Sequence, residues 1–422
     1  MTQTATAPTA TTPTSPESRP ERPRSHWDRV ATAAEHAHWD AVAAGVAETL
    51  AADVLERDRG NLDPTTELEP LRSSGLVNLL DPAEYGGGGA VWSTAFRVIR
   101  ILAAADASLA QILLYHYVNS ANIAFSAPES ERERFYRATI EGRRLWGDSV
   151  NPVDPDLELT PRGDGFELNG LKRFSTGVSS GDAVLVNAVI SGGDRSGETL
   201  TFVLPRDRAG IEPLGDWDFL GQRQSASGSV RFTGVRVDAT EILGALVDEP
   251  FATLITPSIQ LGFGNLYLGI AQGALAKGRG LTLGRKNSWF LSGVETYAQD
   301  PFVRRLYGEL VAHTAAAEAL ADRVGALHDA EVARGAAVTA ESRAAQAIEI
   351  AKVKIVTDAL ALDVTTRIYE ATGSSSAKSS IGLDLYWRNV RTHSLHDPVD
   401  YKKLEVGANY LTGDVQPLSL YT

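Results

Sequence analysis

Cysteine is absent from all 422 residues, which removes disulfides, thiolate zinc sites, iron–sulfur clusters and a cysteine nucleophile in one step. Methionine occurs once, at position 1. A positive excess is missing too: 40 Lys and Arg face 53 Asp and Glu, a formal charge of −13 with no basic stripe. That balance excludes a protein built to grip a phosphate backbone, so no nucleic-acid partner is expected. No run is apolar enough to span a membrane. The least polar window, 101–118, carries Asp106, Gln111 and His116 and reads as a buried helix. The first residues lack the charged-then-apolar pattern of a secretory signal, so the expected location is the cytoplasm. Nor is there a dinucleotide fingerprint, because Gly262, Gly264 and Gly269 follow no strand and read as helix-packing glycines. The electrons of a redox enzyme would come from its substrate or from a separate protein.

What is present divides the chain by texture. Residues 1–24 are Thr, Ala and Ser interrupted by Pro8, Pro13, Pro16, Pro20 and Pro23, the composition of a disordered tail. Residues 25–142 read as a helical domain, broken by Asp63-Pro64, Gly86–Gly89 and Pro128. Residues 143–249 read as a β domain, with strands at 165–170, 183–190, 201–204 and 229–232. Residues 250–422 return to helix, with Val303, Leu306, Tyr307, Leu310 and Val311 expected on one face and further helices near 340–372 and 401–412. The expected fold class is α+β, in the order helices, strands, helices.

Few motifs carry chemistry by themselves. Gly177-Val-Ser-Ser-Gly181 matches the nucleophile-elbow string but precedes a strand-like run, so it reads as a β turn. Tyr85 with Gly86–Gly89 reads as a loop between helices in preference to an anion nest. His36 and His38, two apart, fall on different sides of a helix and make poor metal partners. His393-Ser-Leu-His396-Asp397 puts two imidazoles and a carboxylate on one side of a helix. That suits general acid–base work better than a metal, with a structural hydrogen-bonded cluster as the equal alternative. No metal is expected.

Several segments together resemble the acyl-CoA dehydrogenase superfamily, from about His26 to the C-terminus. Residues 71–87, LRSSGLVNLLDPAEYGG, resemble its "GL…P-E-x-Y-G-G" turn, and 169–176, NGLKRFST, its "N-G-x-K-x-W-I-T". Gly221-Gln-Arg-Gln-Ser225, Val235-Arg-Val237 and Leu243-Gly244 resemble a third motif of the superfamily. The resemblance implies an acyl-CoA dehydrogenase-like fold: an N-terminal helical domain, a central β domain and a C-terminal four-helix bundle, assembled as a homotetramer with flavin between the β domain and the C-terminal helices. Departures narrow it. Asp148-Ser149 replaces the start of a Thr-Glu-Pro motif, Phe174 replaces a Trp, and the dehydrogenase's "Y-E-G" falls on His396-Asp397-Pro398, which puts Asp397 in the place of the catalytic Glu. Residues 387–398, WRNVRTHSLHDP, with Tyr115-His116, Asp216-Trp217 and Arg223-Gln224, instead resemble the flavin-dependent monooxygenase branch of the dibenzothiophene-monooxygenase type.

That branch implies a reduced flavin, FADH2 or FMNH2, supplied by a separate NAD(P)H:flavin reductase, with O2 as co-substrate and a C4a-hydroperoxide as the oxygenating species. By the resemblance, His116, Thr176, His396 and Asp397 are the catalytic candidates. Asp148, Ser149, Phe174, Ser175, Thr176 and His393 would line the flavin, with Arg285 at its phosphate and Gly373, Ser374 and Ser375 arriving from a neighbouring subunit. Tyr115, Tyr117, Phe125, Trp217 and Trp289 would wall a pocket for a flat, electron-rich heterocycle, an indole or a thiophene. Three readings compete at this point: monooxygenase, FAD-dependent acyl-CoA dehydrogenase, and a flavin-binding protein without turnover.

Overall fold

The computed structural model describes residues 25–152, 154 and 157–419; the tail expected over 1–24 lies outside the described residues. Helices come first. Thr32 accepts the amide of Glu35 and so caps α1 (Ala33–Ala51), satisfying a donor the helix itself cannot. There follow α2 (Val54–Gly60), α3 (Glu69–Ser73), α4 (Trp92–Ala105), α5 (Ala107–Ser126) and α6 (Glu129–Glu141). The window 101–118, expected as one helix, is two. Asp106 leaves helical backbone at φ −142° and its carboxylate accepts the amide of Leu109, which caps α5. Arg57 holds the same carboxylate at 2.7 Å. The apolar pattern runs through the break because both helices bury their flanks.

The Gly86–Gly89 loop turns its amides inward. Those of Gly87, Gly88 and Gly89 donate to the carbonyls of Pro82, Asn78 and Asp81. A Cβ at Gly87 would lie 2.4 Å from the Asp81 oxygen, so the loop needs glycine for close packing and has no free amides for an anion.

The sheet contains β1 (Trp146–Ser149), β2 (Glu158–Arg162), β3 (Gly165–Lys172), β4 (Ala183–Ile190), β5 (Thr199–Pro205), β6 (Ile211–Pro213), β7 (Val230–Val237) and β8 (Ile242–Ala245). The order is β6-β7-β3-β2-β4-β5-β8, with β1 pairing in parallel to β4 and carrying the chain from the helical region to the sheet. Along β7, Val230 and Phe232 and then Val235 and Val237 are buried at the two-residue period of a strand with one face inward, and an irregularity at Thr233-Gly234 shifts the alternation by one residue between the two pairs. Gly177–Gly181 forms the turn ahead of β4, and no helix follows it.

The C-terminal region is helical: α7 (Ile255–Gly284), α8 (Pro301–Val332), α9 (Ala340–Thr372), α10 (Asp384–His393) and α11 (Val399–Thr412). Asp300 caps α8, with Pro301 at its first position. α9 packs against α7, α8, α10 and α11, and α7 also lies along α4 and α5. A Cβ at Gly269 would sit 2.3 Å from the Arg100 carbonyl oxygen, so α7 approaches α4 at backbone distance. On α8, Val303, Leu306 and Leu310 are buried as expected, while Val311 is 53% exposed. It lies about 100° round the helix from Leu310, past the edge of the apolar stripe. Among the described residues no helix is long and apolar enough to cross a membrane.

Candidate active site

Gln111, Tyr115 and Asn119 recur every four residues on α5, so three polar side chains share a face of a buried helix. That face meets β1 and the turn after β3. The Asp148 amide donates to the Thr176 carbonyl at 3.1 Å, and the Thr176 amide and the Asn119 side chain hydrogen-bond the Asp148 carboxyl in return. Ser149 and Ser175 share a hydrogen bond of 2.9 Å. Thr176 Oγ1 lies 2.9 Å from Ser227 Oγ, which is 2.7 Å from Ser225 Oγ. The Tyr115 hydroxyl joins this row through Thr176. Burial pushes the Asp148 carboxyl up to about 8 against those two hydrogen bonds, so it is largely protonated at neutral pH.

On the other side of Tyr115 lies a second cluster. The His396 ring is 6.3 Å from that of Tyr115, 5.1 Å from that of Phe263 and stacked 5.8 Å from that of His393. Phe263 also meets His393 edge-on at 4.7 Å. His396 is exposed to solvent, while its ring packs against those of Phe263, His393 and Tyr115. That crowding and the charge of Lys354 lower it to about 4, with Asp397 opposing. His393 is buried and is held well below the ordinary histidine range by burial, then by His396 and Lys354. Asp397, expected as an acid or base, is bound to Lys354 at 2.7 Å. Burial alone would raise its carboxyl, but the Lys354 charge and hydrogen bond outweigh it and lower it.

At the rim, Phe174 sits in left-handed backbone at φ 59° and is 50% exposed. Its ring is 6.2 Å from that of Trp217, which stacks at 3.9 Å on Phe219. Other candidates fall elsewhere. His116 is fully buried; its Nε2 donates to the Val77 carbonyl at 2.6 Å and its Nδ1 accepts the Trp146 amide at 3.0 Å. With both nitrogens engaged it ties α5 to β1 and has no proton site left to offer. Tyr117 donates to the Leu76 carbonyl in the core, and Phe125 packs among Trp27, Trp92 and Phe251. Tyr117 points away from the Gln111–Tyr115–Asn119 face, about 200° round α5 from Tyr115, and Phe125 lies about 15 Å further along the helix. Trp289 is 59% exposed in the stretch after α7. Arg285 lies against Gly373, beside the exposed Ser374 and Ser375. It stands about 27 Å along α7 from Tyr267, at 1.5 Å per residue. Among the described residues no group of three His, Asp or Glu side chains converges as a metal site.

Comparison with known proteins agrees with this layout. Residues 32–143 match the acyl-CoA dehydrogenase N-terminal domain and residues 261–401 the acyl-CoA dehydrogenase C-terminal domain. Dibenzothiophene monooxygenase of Rhodococcus erythropolis is 36% identical over 387 residues, 88% of this chain and 93% of that protein. The chain belongs to the acyl-CoA dehydrogenase family. Within it, the chain falls in the flavin-dependent monooxygenase branch. The probable FMNH2-dependent monooxygenase SfnC of Pseudomonas putida is 35% identical, covering 87% of this chain and 93% of its own. TdsC from Paenibacillus sp. A11-2, solved with FMN and indole, superposes with a TM-score of 0.88 at 36% identity, over 91% of this chain and all of that one.

The family's cofactor fits the residues present. Gln111 Oε1, Gln222 Nε2 and His393 Nε2 are buried side-chain atoms without a hydrogen-bond partner among the described residues. One acceptor, one donor and an imidazole nitrogen, beside a row of hydroxyls, suit the edge of a flavin ring, which carries both N–H and acceptor groups. Gln111, Asn119, Gln222, Ser227, Phe263 and Lys354 were not singled out as site residues from sequence. The four-residue recurrence of Gln111, Tyr115 and Asn119 was a readable signal for the first two. Lys354, one charge among many on α9, offered none.

Proposed function

We propose that the chain is the oxygenase component of a two-component system. A separate NAD(P)H:flavin reductase delivers reduced FMN, and one atom of O2 goes to an aromatic heterocycle, at the sulfur of a thiophene or a ring carbon of an indole. The observation that carries this reading is the set of buried side-chain atoms on Gln111, Gln222 and His393 that have no partner among the described residues, with Gln111 lying against the hydroxyls of Thr176 and Ser227. FMN is favoured over FAD by the FMN bound in TdsC and the FMNH2 dependence in the name of SfnC. The substrate class is supported by the indole bound in TdsC and the dibenzothiophene of the Rhodococcus enzyme.

Reduced flavin supplies the electrons that activate oxygen. Asp148, Ser149, Ser175, Thr176 and His393 hold its polar edge, with Phe174 packing at the rim. His396 and Tyr115 face the reacting side, where a neutral imidazole donates a hydrogen bond without releasing a proton too early. Phe263, packed against Tyr115, would keep water from the reacting side. Arg285 and Gly373–Ser375 meet the flavin phosphate of a neighbouring copy in a cytoplasmic homotetramer; their distance from Tyr267 along α7 supports this division. One observation speaks against dehydrogenation: Asp397, aligned with the dehydrogenase base, is the ion-pair partner of Lys354 and a weakened base.

The test supplies chemically reduced FMN and 18O2 with indole, benzothiophene or dibenzothiophene. One 18O atom in the product is expected. Flavin reoxidation to hydrogen peroxide with no labelled product from any heterocycle sinks the substrate class, and anaerobic bleaching of bound flavin by an acyl-CoA returns the chain to the dehydrogenases.

A further inference from the structure

Lys354 is the least expected residue near the site. It sits mid-way along α9 with its side chain 2% exposed, although a lysine on a helix ordinarily keeps its ammonium in water. Its Nζ lies 2.7 Å from Asp397 Oδ2 and 2.7 Å from Gln260 Oε1, and 5.7 Å from the centre of the Phe263 ring. Gln260 and Phe263 both come from α7, and Asp397 from the turn between α10 and α11. One ammonium therefore joins α7, α9 and the turn that carries His396. An uncompensated buried cation would be costly, and burying Lys354 is tolerated because the carboxylate, the amide oxygen and the ring face all meet it.

We propose that Lys354 is a positioning residue for the oxygenase: it clamps Asp397, fixing the turn that presents His396 to the cleft, and it keeps the Asp397 charge from drawing a proton onto the His396 ring. The proposal rests on the monooxygenase reading above for its consequence, but not for its geometry.

Without the clamp, Asp397 is a free carboxylate next to an imidazole. Opposite charge favours the protonated ring, and loss of the nearby ammonium acts in the same direction. The lowering of His396 has burial as its largest cause and Lys354 as its second, with Asp397 opposing. Other groups around the cluster are Asp358 on α9, Lys402 on α11, His393 and Arg391 on α10, Tyr267 on α7 and Tyr115 on α5. None of them is altered by the substitutions below. An imidazolium at this place would protonate reduced oxygen before the substrate takes the oxygen atom, and hydrogen peroxide would leave in place of product.

The experiment compares wild type, Lys354→Met, Lys354→Arg and the double variant Lys354→Met/Asp397→Asn, in full-length protein. The first readout needs no flavin. The labelled imidazole resonances of His396, assigned by their loss in His396→Gln, are followed between pH 5 and 8. Wild type is expected to stay neutral throughout. Lys354→Met is expected to take up a proton within the range, a rise of at least about tenfold in proton affinity. Lys354→Arg retains the charge and is expected to restore the neutral ring, and the double variant, lacking both charges, is expected to stay neutral. The second readout is product formed per reduced FMN consumed, expected to fall in Lys354→Met most steeply toward low pH. A His396 ring that titrates identically in wild type and Lys354→Met overturns the proposal. If Lys354→Met does not fold, a double variant that titrates within the range overturns it equally. Failure of the monooxygenase reading looks different, since wild type then forms no oxygenated product while the resonances still report on the clamp.

Discussion

Tyr267 closes on His393: its hydroxyl lies 3.0 Å from Nδ1 and 3.3 Å from the backbone carbonyl of the same residue. The contact pins the imidazole from α7 and leaves Nε2 as its buried nitrogen without a partner among the described residues. If that nitrogen serves the flavin, the tyrosine hydroxyl pre-orients the imidazole that binds it. Tyr267→Phe keeps the ring and removes the pin. Its affinity for FMN, read from quenching of flavin fluorescence, is expected to fall by about 3- to 10-fold, the equivalent of one hydrogen bond. Unchanged affinity would remove His393 from the flavin's partners or Tyr267 from its support.

Asp148 gives a pH dependence whose sign is fixed by its surroundings. Burial raises the folded carboxyl to about 8, whereas in the unfolded chain it titrates near 4. Below about pH 4 both states hold the proton and the site is neutral in its effect. Between about 4 and about 8 only the folded state holds it, so unfolding releases a proton and stability declines as pH rises. Asp81 and Asp329, raised by burial to about 7 and about 6, slope the same way, and the wild-type curve alone does not isolate Asp148. Asp148→Asn does, because the amide keeps the shape without the titration. Its melting temperature relative to wild type is expected to be higher at pH 8 than at pH 5; equal differences at the two values would mean an ionised, solvated carboxylate.

The order helices, strands, helices was legible because burial imposes different periods on the two kinds of element. What escaped were features that depend on which neighbour arrives. Asp106 ends one helix and caps the next inside an unbroken apolar run, a matter of side-chain hydrogen bonding that hydropathy does not record. Tyr117 and Phe125 are as aromatic as Tyr115, and only how α5 is turned and placed against its neighbours sends Tyr117 to the Leu76 carbonyl and Phe125 to Trp27. The His393–His396–Asp397 segment was readable from spacing, yet the lysine that neutralises its carboxylate comes from more than forty residues upstream. Pairings over such distances leave no mark in a single sequence.

His116 illustrates the same point with a stability consequence. Its two ring nitrogens satisfy the Val77 carbonyl and the Trp146 amide in a fully buried setting. His116→Ala strands both backbone groups and opens a cavity, so a loss of about 3 kcal/mol or more in unfolding free energy is expected. His116→Gln has both a donor and an acceptor and is expected to recover part of that loss. Denaturant titration of the two variants reads the difference. A stable His116→Ala protein that no longer couples flavin oxidation to product would reverse the assignment and make His116 a chemical participant.

Arg285 tests whether the site is completed by a second copy of the chain. Its guanidinium lies 4.2 Å from the centre of the Tyr297 ring and 3.4 Å from the Thr372 carbonyl, and it is solvent-exposed at the end of α7 remote from His393. A guanidinium so placed has hydrogen-bond donors to spare for a phosphate. Arg285→Gln is expected to weaken FMN binding by about tenfold or more while leaving riboflavin, which has no phosphate, bound as before. The size of the FMN effect is expected to shrink with added salt, as an exposed ion pair requires. A substitution that weakens FMN and riboflavin alike would mean that Arg285 acts on the fold of its own chain. One that weakens neither would mean that the phosphate is met by other residues, and that this end of α7 serves no flavin, in its own copy or in a neighbouring one.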